Sequence, residues 1–177
     1  MKSGRLIVVA GPPCSGKSTV AAALAKSLSV PHFDIDELAR EVYPSGPWSE
    51  AARDAIYALM LDRSFPALDR SAVVLSATYG REQKRAELLE RVHASGANLA
   101  LIQCRVSLSV TLERFRQRVS HHASDLTEDR VRSLAEAYVY CENGLILNGE
   151  HSVAECLSVI ETKWKLGTEV NYERSYD

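Results

Sequence analysis

Short, unbroken apolar runs alternate along this chain with longer stretches whose apolar positions recur at helical spacing. Residues 6–10, Leu-Ile-Val-Val-Ala, have strand length and no polar interruption, the pattern of a strand buried on both faces. Gly16 to Leu28 reads as a helix with Ala22, Ala23, Leu24 and Leu28 packed inward. A short strand near His32–Asp34 leads into a helix from about Asp36 to Val42. Tyr-Pro-Ser-Gly-Pro-Trp (43–48) then breaks the pattern with two prolines and a glycine. From Ser49 to about Asp62 the chain is helical again, with Ala52, Ile56, Leu59 and Met60 in phase.

Ala72–Ala77 forms a second apolar strand. Arg81 to Ser95 is an amphipathic helix stopped by Gly96. Asn98–Val106 is a third strand, after which Ser107 or Ser109 caps a helix running to about Arg118. Residues 119–125 lack an apolar period and read as a loop. Thr127 to Tyr140 is predicted helical and Gly144–Asn148 a last strand. Ser152 and Glu155 form a capping box for a terminal helix. Strands alternating with helices imply an α/β fold, with a parallel sheet covered on both faces and ligands at the carboxyl ends of its strands. No repeat or linker divides residues 1–167, which therefore form one domain, followed by a polar tail over 168–177.

With 177 residues, 25% charged and a net charge of −2, the chain has no concentrated basic surface for duplex DNA or an anionic membrane. No apolar run approaches the 18 or so residues of a membrane span. The basic-then-apolar N-terminus is too short in its apolar part for a signal peptide and leads directly into a phosphate-binding motif. Cys14, Cys104, Cys141 and Cys156 are widely spaced, with no C-x-x-C pair, so neither a disulfide framework nor a zinc site is expected. These features place the chain in the cytoplasm with reduced thiols.

The first clear chemistry is Gly11-Pro12-Pro13-Cys14-Ser15-Gly16-Lys17-Ser18-Thr19, which matches G-x-x-x-x-G-K-[ST] between strand and helix. Glycines allow the backbone to wrap phosphates with its N–H groups inward. Lys17 neutralises β- and γ-phosphate charge, the Ser18 hydroxyl can ligate Mg²⁺, and the positive end of the helix adds attraction. Nucleoside triphosphate binding follows. An N-K-x-D motif and an L-S-G-G-Q motif are both absent, which removes GTPase switches and transporter ATPases. The strand ending in Ser76 and Ala77 lacks the acid that a large ATPase machine would place there.

Phosphoryl transfer to a hydroxyl needs an ordered acceptor, a base, Mg²⁺ and cations on the moving group. In Phe33-Asp34-Ile35-Asp36, Asp34 can hold the Mg²⁺ hydration shell, or be a solvated loop residue. Asp36 can take the acceptor's proton, or cap the helix that follows. Arg40, one turn further on, lies on the Asp36 face, where it binds an acidic substrate group or is solvated. Arg114 and Arg118 share a helix face beside the 119–125 loop. They can close over ATP like an arginine finger in cis, or simply complement the helix dipole. Arg116 falls on another face. His121 and His122 read as solvated rather than metal-binding.

Together these motifs, with Ser76–Arg85, Ser124–Asp129 and Leu145–Glu155, resemble small P-loop kinases of the nucleoside-monophosphate-kinase-like branch. That branch includes the family labelled AAA domain or zeta-toxin-like. Phe-Asp-Ile-Asp is similar to the F-D-S-D of shikimate kinases, and Asp36-Glu-Leu-Ala-Arg40 to the D-x-x-R of polynucleotide 5′-kinases. The resemblance implies a P-loop three-layer sandwich with a five-stranded parallel sheet in the order 2-3-1-4-5. It also implies a lid near 119–126, Arg114 as the lid arginine with Arg118 second, and Asn148–Ser152 approaching adenine. Residues 43–66 would form a cap on the substrate side, with Tyr43, Trp48 and Tyr57 as its walls or as core.

The expected function is an ATP- and Mg²⁺-dependent kinase acting on a hydroxyl of a small molecule, working as a monomer or homodimer. A polynucleotide or nucleoside 5′-hydroxyl kinase and a non-catalytic ATP-binding regulatory protein are the alternatives.

Overall fold

The computed structural model describes residues 4–46, 49–118 and 126–165. The expectations for Trp48, for His121 and His122, for nearly all of the lid and for the 168–177 tail lie outside the described residues.

Five strands, β1 (Arg5–Ala10), β2 (His32–Asp34), β3 (Val73–Ala77), β4 (Asn98–Arg105) and β5 (Leu145–Asn148), form one sheet in the order 2-3-1-4-5. All pairings are parallel, with β1 central: Val8 lies between Leu75 of β3 and Leu101 of β4. The parallel sense matches the expectation from the alternating pattern, and the order matches the one implied by the resemblance to small P-loop kinases. Each strand's side chains divide between two cores, as the two-residue repeat requires. Leu6, Val8 and Ala10 join Leu75, Ala77, Leu99 and Leu101 on one face, beneath Leu38, Ile56, Met60 and Leu88. Ile7 and Val9 join Val74, Ile102 and Cys104 on the other, beneath Leu24, Cys156 and Ile160.

The helices are α1 (Lys17–Leu28), α2 (Ile35–Val42), α3 (Glu50–Ser64), α4 (Glu82–Ser95), α5 (Leu108–Gln117), α6 (Glu128–Glu136) and α7 (Val153–Lys165). Side-chain caps start several of them. The hydroxyls of Ser49, Ser107 and Thr127 accept N–H groups from the first turns of α3, α5 and α6. Ser107, not Ser109, is therefore the α5 cap. Ser152 and Glu155 make the reciprocal capping box of α7. Gly96 closes α4 with φ +66.

Three local expectations are corrected. The buried face of α1 is Val20, Ala21, Leu24 and Ala25, whereas Ala22 and Leu28 are exposed and Ala23 half-buried. The stripe that meets the sheet is set by the helix starting at Lys17, and it runs one position ahead of the predicted one. The N-cap of α2 is Asp34, not Asp36. Finally, α6 ends at Glu136 rather than Tyr140. Gln103 on β4 takes over the backbone there: its amide donates to the Cys141 carbonyl and accepts the Cys141 N–H, both at 2.8 Å. Those bonds draw residues 138–141 out of the helical path and onto the sheet.

Candidate active site

The phosphate loop joins β1 to α1 at the carboxyl edge of the central strand. Its two terminal glycines are required by geometry. Gly11 has φ +155, and a Cβ there would sit 2.6 Å from Ser15 Oγ and 2.9 Å from the Cys104 carbonyl. Gly16, with φ +87, is the residue from which α1 starts. Between them, Cys14 adopts φ +61 without a glycine's freedom, and Pro12 O accepts the Ser15 N–H at 3.4 Å. Pro13 is half-buried and Thr19 exposed on the first turn of α1. Lys17, the first residue of α1, is buried.

Cations converge on this loop from α5. Arg114 donates through Nη2 to the Gly149 carbonyl at 2.7 Å and through Nη1 to the Cys14 carbonyl at 3.4 Å. Arg118, at the end of the same helix, is exposed and acts electrostatically on the Cys14 thiol together with Lys17 and Arg114. Burial nevertheless dominates and pushes that thiol up, so Cys14 is a packed side chain and not a nucleophile. Arg116, as its helical phase implies, points elsewhere and pairs with Glu128. The structure puts Gly149 against the phosphate loop, where a Cβ would lie 2.5 Å from the Ser15 carbonyl.

Asp34 is not the solvated loop residue of one sequence reading; it is buried. It lies opposite Ser76 in the β2–β3 register. Oδ1 accepts the N–H groups of Asp36 at 2.8 Å and Glu37 at 3.2 Å. Oδ2 accepts the Ser76 hydroxyl at 2.5 Å, and the Ser18 hydroxyl lies near enough to favour the ionised carboxylate. His32 Nε2 lies 3.0 Å from Ser76 Oγ. Burial pushes the Asp34 carboxyl up, but the bonds from Ser76, Ser18 and the two N–H groups outweigh it, so it stays below the usual aspartate range.

The strand that lacks an acid, β3, thus contributes a serine that holds the acid of its neighbour. Ala77 itself is fully buried in the core. Among the described residues no cluster of three or more His, Cys, Asp or Glu could hold a metal ion. Ser18 and Asp34 instead form a small, adjacent oxygen set. Such a set suits Mg²⁺, which keeps several waters and arrives on nucleotide phosphates.

Asp36 diverges from Asp34 because the helix begins between them. It lines a cavity of about 570 Å³ enclosed by α2, α3, α6 and the loop after β3. Arg40 reaches back to the Asp36 carbonyl through Nε at 3.1 Å and does not line that cavity. Tyr57 does line it, and Tyr43 does not. Sequence reasoning missed Arg53, Thr78, Arg81 and Arg130, all on the cavity wall. Only Arg81, beside the conspicuous Thr-Tyr-Gly turn, had a local signal.

The turn itself is braced from two sides. Tyr79, at φ +47, donates its N–H to Tyr57 Oη at 3.3 Å, while Arg85 donates to the carbonyls of Tyr79 and Gly80 at 2.8 and 3.0 Å.

A phosphate loop at the end of the central strand of a 2-3-1-4-5 parallel sheet is the architecture of the P-loop small-molecule kinase family. The family model of the AAA domain matches residues 6–139, and the chain belongs to that family. It is 31% identical over 146 residues to the adenylate kinase of Xylella fastidiosa, covering 75% of this chain and 78% of that one. A gluconokinase from Sinorhizobium meliloti 1021 superposes with a TM-score of 0.67 at 21% identity, over 94% of this chain and 98% of the other. The shikimate kinase of Aquifex aeolicus does so at 0.63 and 20%, over 92% and 97%. These structural likenesses establish the fold.

Proposed function

We propose that this protein transfers the γ-phosphoryl group of ATP to a hydroxyl of a small molecule bound in the cavity at Asp36. The observation that carries the reading is the position of Asp36. Its helix is capped by Asp34, the carboxylate whose charge the Ser18 hydroxyl of the phosphate loop favours, so acceptor side and nucleotide side meet at one buried acid.

In this reading the backbone of Gly11–Gly16 cradles the phosphates, and Thr19 continues the cradle into α1. Lys17 neutralises the β- and γ-phosphates, while Arg114 and Arg118 approach from α5 and spread the charge that develops on the transferred group. A Mg²⁺ ion held there would supply charge neutralisation for the phosphates. Ser18 would be its direct protein ligand, with Asp34 orienting Ser18 and the hydration shell. Asp36 accepts the proton of the acceptor hydroxyl as the new P–O bond forms. Arg40 steadies the first turn of α2 through the Asp36 carbonyl, a positioning role and not a substrate contact.

The test is ADP release from ATP and Mg²⁺ across a panel of small-molecule alcohols, with phosphorus NMR identifying the ester formed. An ATP-dependent phosphate ester supports the reading. Tight ATP binding with no transfer to any acceptor would overturn it in favour of a non-catalytic ATP-binding protein. The similarity to adenylate kinase favours one second reading, in which the acceptor is itself a phosphate. No base is needed there, so Asp36→Asn would leave turnover of a nucleoside monophosphate largely intact.

A further inference from the structure

Strand β2 puts more than Asp34 on the face of the sheet that α1 covers. Side chains two apart in a strand share a face, so His32 lies on the same side as Asp34. In the β2–β3 register His32 is opposite Val74 and Asp34 opposite Ser76. Val74 belongs to the core packed with Val20, Ala21 and Leu24 of α1. His32, Ser76 and Asp34 therefore share the layer between the sheet and the helix that carries Ser18.

The protons in that layer can be followed. A serine hydroxyl has one proton and rotates to suit its surroundings. Ser76 is fully buried, so bulk water does not compete for it. Its Oγ lies 2.5 Å from Asp34 Oδ2, the length of an O–H···O⁻ bond. The carboxylate already accepts two N–H groups on Oδ1, and an ionised carboxylate can only accept. The hydroxyl proton thus points at Asp34, and Ser76 turns a lone pair to His32. Nε2 of His32, 3.0 Å from that oxygen, must be the donor. Nε2 donates in the neutral ring that carries its proton there, and equally in the imidazolium, so the direction of the bond does not depend on the charge of the ring.

A free serine rotor has three staggered settings, and only one aims at Asp34. An N–H facing Ser76 Oγ selects that setting, and a donor feeding the oxygen strengthens the bond it makes onward. Resting on the kinase reading, we infer that His32 is a positioning residue for the Mg²⁺–nucleotide site. It does not line the acceptor cavity and acts only through Ser76. Ser76 in turn fixes Oδ2 of Asp34, and Asp34 keeps its charge beside Ser18, the residue that would ligate Mg²⁺ in that reading.

The experiment uses the full chain and two substitutions. His32→Phe keeps a ring and removes the donor, whereas His32→Gln gives up the ring and keeps an N–H. Calorimetric titration with a non-hydrolysable ATP analogue is run once with Mg²⁺ and once with EDTA. His32→Phe should weaken binding of the Mg²⁺ complex at least about tenfold, the low end for groups that orient a metal's ligands. Metal-free binding should stay within about twofold of the original. His32→Gln should recover most of the loss. Nitrogen-15 NMR of the unsubstituted protein should show a proton on Nε2 of His32, a result that stands even if the Phe variant does not fold.

A ring proton on Nδ1 alone reverses the bond and overturns the inference. Equal weakening with and without Mg²⁺ overturns it too, since that is the pattern of general distortion. So does unchanged binding in His32→Phe, or a loss in His32→Gln as large as in His32→Phe. Failure to phosphorylate any acceptor would count against the kinase reading alone, because each of these measurements is made on binding and needs no transfer.

Discussion

Asp34 on β2 and Ser76 on β3 are neighbours across the parallel register, and the serine hydroxyl donates to the carboxylate at 2.5 Å. The strand that lacks an acid therefore supplies a hydrogen-bond donor to the acid of its neighbour.

Replacing Ser76 by alanine removes that donor from a buried, charged acceptor. A loss of about 1.5–3 kcal/mol is expected, the range for hydrogen bonds to ionised groups. The pH dependence of unfolding checks the cause. Because the Asp34 carboxyl is depressed in the folded state, its stabilisation is complete above the ordinary aspartate range and is lost as pH falls through the lower folded value. In Ser76→Ala the folded value moves up toward the ordinary one, so that acid-dependent loss should be smaller and finish at higher pH. An unchanged acid limb would show that Ser76 does not set the ionisation of Asp34.

Asp36→Asn keeps size and polarity but cannot accept a proton. With an alcohol acceptor, kcat should fall roughly 10²–10⁴-fold, the range for general-base catalysis, while ATP affinity by calorimetry is retained. Full kcat in this variant would remove Asp36 from the chemistry.

Arg118 and Arg116 are close in sequence and differently placed, so they form an internal control. Arg118→Ala should lower kcat by about 10³-fold if the guanidinium reaches the transferred phosphoryl group. Arg116→Ala only opens the exposed pair with Glu128, costing about 0–1 kcal/mol of stability. Steady-state kinetics and melting curves of the two variants separate these outcomes.

Gly149→Ala places a methyl group 2.5 Å from the Ser15 carbonyl and 2.8 Å from Val106 Cγ1. Because one obstacle is backbone, the loop must shift, and a destabilisation of about 1–3 kcal/mol is expected together with weaker ATP binding. Calorimetric ATP titration and thermal denaturation would report both.

Tyr57→Phe deletes the hydroxyl that accepts the Tyr79 N–H. A lost acceptor in this part-buried setting costs about 1–3 kcal/mol and frees the Thr78–Gly80 turn at the cavity wall. Thermal melting gives the first effect, and a rise in acceptor KM gives the second.

The order of elements and the sheet were legible because each strand is an apolar run and each helix carries its own punctuation. Gly16, Ser49, Ser107 and Gly96 stand where caps are needed. The nucleotide half of the site was legible for the same local reason, since its residues are contiguous. The acceptor half was not. Arg53 and Arg130 are 77 positions apart and meet only when α3 and α6 fold over the same strand ends. The division of labour between Asp34 and Asp36 was half visible. Their divergence could be inferred, but the capping role went to the wrong one, because register with Ser76 is a property of the sheet and not of the motif. The early end of α6 was hidden likewise, in a bond from Gln103, 38 positions away.

Arg114 is fastened by two backbone carbonyls, those of Cys14 and Gly149, and not by a carboxylate. Amide oxygens do not titrate over the biological range. An ion pair such as Arg116–Glu128, by contrast, loosens in acid as its carboxylate takes up a proton. The aim of Arg114 at the phosphate loop is therefore built to hold steady while acidity changes around it.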